Sequence, residues 1–79
     1  MTKLEVLGIF YDEDRSLTPD SVGSRIRRYR RRTSVYSYLL RLSRQGLLER
    51  TLIGTRLAYR LTHRGMDRFE YLRRRERRY

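Results

Sequence analysis

The sequence predicts a mainly helical α+β fold in which three helices, a two-stranded hairpin and a final helix share one core. Three features carry that expectation. Apolar residues recur at helical spacing over residues 3–12, 33–46 and 62–72. Period-two segments replace that spacing over 49–52 and 57–61, and capping or turn residues separate the segments.

The central stretch is TSVYSYLLRLSRQG, residues 33–46. Val35, Tyr38, Leu39 and Leu42 form one apolar stripe, and Ser34, Ser37, Arg41 and Arg44 fall on the other side. Thr33 is the expected N-cap and Gly46 the expected stop. Directly upstream lies RIRRYRRR, residues 25–32. A buried stripe backed by hydroxyls and arginines, next to a dense basic run, suits a helix laid against a nucleic acid.

The first helix is expected over residues 3–12, KLEVLGIFYD. Leu4, Leu7 and Tyr11 form an i, i+3, i+7 series, and Val6, Ile9 and Phe10 widen it. Gly8 weakens this helix by about 1 kcal/mol. Asp12 to Ser16 reads as a charged turn and Leu17 as a short extended contact with the core. Thr18-Pro19-Asp20 then opens a second helix with a capping hydroxyl, a first-turn proline and an acid near the positive end of the dipole. Val22 and Ile26 give that helix its buried face; Gly23 beside them either permits close packing or stands at the surface. Tyr29 to Arg32 join it to the third helix without a glycine. Two helices so joined make a helix-turn-helix arrangement.

Leu47 and Leu48 read as buried anchors, followed by strands over 49–52 and 57–61 with Ile53-Gly54-Thr55-Arg56 between them. Arg50 and Leu52 share one side of the first strand, and Leu57, Tyr59 and Leu61 one side of the second. A lone hairpin is barely stable, so this one must lean on the helices. Thr62 caps the final helix, which has Met66, Phe69 and Leu72 on its apolar side. Gly65 would let it approach the hairpin or the first helix. Residues 73–79 form a basic tail whose end is expected to fray.

The 79 residues make a single domain, 1–79, with a modest core, so a homodimer is expected to supply part of the stability. Net charge is +11 and is unevenly placed. Residues 1–20 sum to −3 and residues 21–79 to +14, a density that calls for a polyanionic partner. Lys3 is the single lysine; the other basic residues are arginines, whose planar fork fits phosphates and guanine edges. With no cysteine there are no disulfides or thiolate metal sites. No segment has membrane-spanning length and the N-terminus lacks a targeting pattern, so the expected location is cytoplasmic or nucleoid-associated, without a membrane partner. The arginine-rich, cysteine-free composition suits an archaeal cell or virus, the latter placing the protein in host cytoplasm.

Catalysis is not expected. His63 is the only histidine and has no acid or nucleophile arranged around it. Asp12, Glu13 and Asp14 are consecutive and lack a calcium loop's alternation, and there is no glycine-rich phosphate loop. No metal, cofactor or small-molecule effector is expected.

The element order, with Gly46-Leu47-Leu48-Glu49-Arg50 leaving the third helix and Tyr59-Arg60-Leu61-Thr62 followed by Gly65, resembles the winged helix-turn-helix domains of MarR- and PadR-type transcriptional regulators. The resemblance covers most of residues 3–72. It implies duplex DNA binding, usually as a homodimer, with the third helix in the major groove and the hairpin as a wing near the minor groove. The chain departs from larger members in its short wing and in lacking their long terminal helices.

Within that frame Ser34, Tyr36, Ser37 and Arg41 are the candidate base contacts, Arg41 by forking onto guanine. Tyr36 has an alternative in packing against the basic run. Arg27, Arg28, Arg30, Arg31, Arg32 and Arg44 are candidate phosphate contacts, although the five in the run cannot all face one duplex. Arg56 is the wing's candidate for a narrow minor groove, with Arg50 and Arg60 guiding phosphates at the hairpin base. Arg73, Arg74, Arg75, Arg77 and Arg78 would meet flanking DNA, support a paired helix, or only solvate the end. Two alternatives stay open: a non-specific architectural or chromatin protein, and an RNA-associated winged helix that does not enter a major groove.

Overall fold

The computed structural model describes residues 1–76 and runs α1 (Lys3–Glu13), α2 (Pro19–Gly23), α3 (Arg32–Arg44), β1 (Leu48–Ile53), β2 (Arg56–Leu61) and α4 (His63–Glu76). Arg77 and Arg78 lie outside the described residues. This is the mainly helical α+β, winged helix-turn-helix architecture: three helices, a hairpin and a closing helix.

Thr2 starts α1 by accepting from the Glu5 N–H at 3.1 Å, and Asp14 ends it in the left-handed region at φ 51°. Val6, Leu7 and Phe10 are its buried side. Gly8 faces α4, where an added methyl would come within 3.2 Å of the Phe69 ring. The residue that costs helix propensity therefore lets the two helices meet closely.

The second helix is shorter than periodicity suggests. Thr18 caps it as expected, accepting from the Ser21 N–H at 3.2 Å, but it stops at Gly23. The Ser21 carbonyl, which would accept the next helical bond, instead accepts from the Ser24 hydroxyl at 2.8 Å and the Arg25 guanidinium at 2.9 Å. The Arg25 N–H turns to the Val22 carbonyl, and the Arg27 N–H donates to Glu5 Oε2 at 2.8 Å. Side-chain competition for the backbone thus ends the helix. Ile26 is still buried, from the turn beyond the helix.

Thr33 is not the cap of α3, which begins one residue earlier. Arg31 takes the cap position with an extended backbone, and no side chain caps the helix. Arg32 joins the first turn because its guanidinium reaches Tyr36, one turn on, and Asp20 on α2. Val35, Leu39 and Leu42 are buried as the stripe predicts, each removing an aliphatic side chain from water at a gain of about 1.5–3 kcal/mol. Gly46 ends the turn at φ +79°, a conformation that favours glycine.

The strands pair antiparallel from Leu48↔Leu61 to Ile53↔Arg56, leaving only Gly54-Thr55 as the connection. The turn is tighter than the four residues expected from sequence, with Gly54 at φ +65° as its first central residue. On its free edge β2 takes a second partner: Leu17 and Tyr59 exchange both backbone hydrogen bonds, at 2.8 and 2.9 Å. The short extended contact expected at Leu17 is this bridge, and it pins the hairpin to the segment between α1 and α2.

Thr62 caps α4 and also holds the exit of α3. Its hydroxyl accepts from the Gly65 N–H at 2.9 Å and donates to the Gly46 carbonyl at 2.7 Å. Gly65 lies against the Leu47 carbonyl so closely that a Cβ there would collide with it. Phe69 is buried from α4, while Met66 is partly exposed.

Candidate nucleic-acid interface

The outer face of α3 is built by default: once Val35, Leu39 and Leu42 face the core, helical geometry turns Thr33, Ser34, Ser37, Arg41 and Arg44 outward, and all five are exposed. Among the described residues no carboxylate pairs with Arg41 or Arg44. Three hydroxyls and two uncompensated guanidinium groups therefore line one side of a rigid helix. Sequence reading missed Thr33, spent as a cap; its spacing of four from Ser37 was the available signal.

Tyr36 lies apart from that face. It is half-buried, its hydroxyl accepts from Arg32 at 3.3 Å, and the Arg32 guanidinium sits 5.5 Å from its ring centre. Tyr36 thus packs against Arg32, the last arginine of the basic run. Arg32 also pairs with Asp20 at 3.1 Å. The Tyr36 hydroxyl first, and Asp20 second, both favour the charged guanidinium. Tyr38, next to the core, is held above the usual tyrosine range by burial, an effect that Arg41 partly offsets.

The hairpin stands beside the start of α3. A groove of about 610 Å³ is lined by Thr18, the cap of α2, and Asp20 within it, by Arg32 and Tyr36 from α3, and by Thr55 and Arg56 from the hairpin end. Its two arginines differ: Arg32 is paired with Asp20, whereas among the described residues Arg56 has no carboxylate partner. Arg50 is exposed opposite Tyr59, and Arg60 is paired with Glu49 at 3.5 Å.

The basic run is divided by the fold. Arg25 is paired with Glu13, and the Arg27 backbone is tethered to Glu5. Arg27, Arg28 and Arg30 line a second groove of about 790 Å³ with Leu4 of α1 and Leu72 and Arg75 of α4. Arg31 and Arg32 instead stand at the start of α3. Of the candidate phosphate contacts, Arg27, Arg28 and Arg30 thus line one groove and Arg32 the other, and the tether at Glu5, 22 residues away in sequence, had no local signature.

His63 is exposed at the start of α4. Among the described residues no group of His, Asp or Glu is placed to hold a metal ion, and no helix is long and apolar enough to cross a membrane.

Fold and site together define a generic winged helix-turn-helix domain with an arginine- and hydroxyl-bearing third helix. In comparison with known proteins, no family model, curated sequence or solved structure matches the chain.

Proposed function

We propose that this protein is a non-catalytic, duplex DNA-binding transcriptional regulator, with α3 in the major groove and the hairpin end near the minor groove. The observation that carries the proposal is the outer face of α3, whose exposed hydroxyls and guanidinium groups stand on the same helix as Arg32 and Tyr36, which line a groove together with Arg56 of the hairpin. Ser34, Ser37 and Arg41, joined by Thr33, are the base-reading set; Arg44 and Arg31 meet phosphates. Arg32, held by Asp20 and Tyr36, serves as a fixed positive charge at the helix start. A homodimer belongs to this reading, because a 79-residue chain has a modest core and a second copy would supply part of the stability. Such a protein acts in the cytoplasm or on the nucleoid, in the manner of MarR- and PadR-type regulators.

Arg27, Arg28 and Arg30, in a groove away from the hairpin, favour a second reading in which backbone attraction dominates and the protein is architectural. Selection of bound duplexes from a random pool, at about 50 and 200 mM salt, separates the two. A regulator enriches a palindrome that survives the higher salt. An architectural protein enriches nothing and is lost steeply as salt rises.

A further inference from the structure

The hairpin ends in two adjacent large aliphatic side chains that the fold leaves in water. Leu52 is 68% exposed and Ile53 58%. Isolated apolar residues on a surface are ordinary; a pair at the tip of a projecting ribbon is a concentrated cost. Their register puts them on opposite faces, Leu52 across from Leu57 and Ile53 across from Arg56. The turn beyond them, Gly54-Thr55, adds little bulk. Cations flank the pair: Arg56 faces Ile53 across the strands, and Arg50 shares a face with Leu52.

Ala58, opposite Thr51, is fully buried, and Leu57, opposite Leu52, still packs against the core, so only the Ile53–Arg56 pair and the Gly54-Thr55 turn project beyond the body. The part of the ribbon that can meet a groove is therefore its last residues, where Leu52 and Ile53 are exposed. The same tip borders the groove shared with the first turn of α3, so helix and tip can engage one duplex.

We propose that Leu52 and Ile53 form an apolar wedge that enters the minor groove, partly unstacks a base step and bends the duplex. The inference rests on the DNA-binding reading and adds deformation of the DNA to it. Apolar side chains inserted between base steps beside arginines are a known way to trade stacking for a kinked, better-wrapped duplex. Flexible pyrimidine–purine steps such as TA are the expected targets, because they unstack most readily.

The test uses an A·T-rich duplex of about one to two helical turns carrying 2-aminopurine beside a TA step, with dyes at its ends to report bending. Anisotropy measures binding independently. The wild-type chain is expected to raise 2-aminopurine fluorescence and to bend the duplex by roughly 20–90°. The double variant Leu52→Ser/Ile53→Ser, and Ile53→Ser alone, should still bind but lose the fluorescence rise and the bend. Both sites are exposed, so circular dichroism and melting should be unchanged. The wedge is refuted if wild type binds without unstacking or bending, or if the variants unstack and bend as wild type does. It is equally refuted if the variants change only self-association in sedimentation, which would make the tip a contact between copies. Absence of binding by anisotropy would overturn the DNA-binding reading itself, and is distinguishable from all of these.

Discussion

Helices α3 and α4 both carry arginines along their outer sides, yet the fold uses them differently. On α4, Arg73 lies 5.4 Å from the Tyr11 ring centre and 5.1 Å from that of Phe69, over a pair of rings 4.8 Å apart. Arg68 and Arg75 each stand 6.0 Å from the Tyr71 ring. On α3, Arg41 and Arg44 have neither a ring nor a carboxylate among the described residues. Arginine content alone therefore does not locate an interface. What distinguishes Arg41 and Arg44 from Arg68, Arg73 and Arg75 is whether the cation already has a partner within the described chain.

If that contrast holds, changes in α4 should cost stability and changes on the outer face of α3 should cost binding. The largest effect is expected at Gly65. A Cβ there meets the Leu47 backbone, which cannot yield as a flexible side chain would. Gly65→Ala should lose about 3 kcal/mol or more in chemical denaturation, and an unchanged midpoint would refute the close contact.

Arg41→Ala comes next, with fold stability retained and about 1–3 kcal/mol of discrimination between duplexes lost. Uniform weakening on every duplex would mean that Arg41 is no base reader. Arg31→Ala and Arg44→Ala should weaken all duplexes alike and reduce the salt slope by about one each, measurable by titrations at several salt concentrations. Arg73→Ala should leave DNA affinity unchanged while lowering stability by roughly 0.5–1 kcal/mol, the scale of an accessible cation–π contact. A large loss of affinity there would erase the contrast between the helices.

The smallest effect is a pH dependence. Burial raises the Tyr38 phenol above the ordinary value near 10, so the folded chain holds its proton longer than the unfolded one. That contribution is complete below the unfolded value and disappears as pH rises through the folded one. Denaturation midpoints between about pH 9 and 11 should therefore fall more for wild type than for Tyr38→Phe. Equal declines would place the titration elsewhere.

Periodicity carries far in this chain because it reports burial. Val35, Leu39 and Leu42 define α3, the face opposite them follows from helix geometry, and Gly46 and Thr62 mark its end and the next helix's start. What escaped were events decided by one side chain competing for one backbone group. Ser24 and Arg25 take the Ser21 carbonyl and shorten α2; Glu5 fixes the Arg27 N–H; Arg31 displaces Thr33 as cap. The site shows the same division. Outward placement of Ser34, Ser37, Arg41 and Arg44 was legible, whereas Asp20 and Tyr36 taking hold of Arg32 required the fold.

The most direct test is an amide footprint by NMR, following each backbone N–H as duplex DNA is added at moderate salt. The account predicts the largest shifts at Thr33–Arg44 and Ile53–Arg56, with α1 and the first turns of α4 little changed. Shifts concentrated on α1 and α4, with α3 silent, would contradict it.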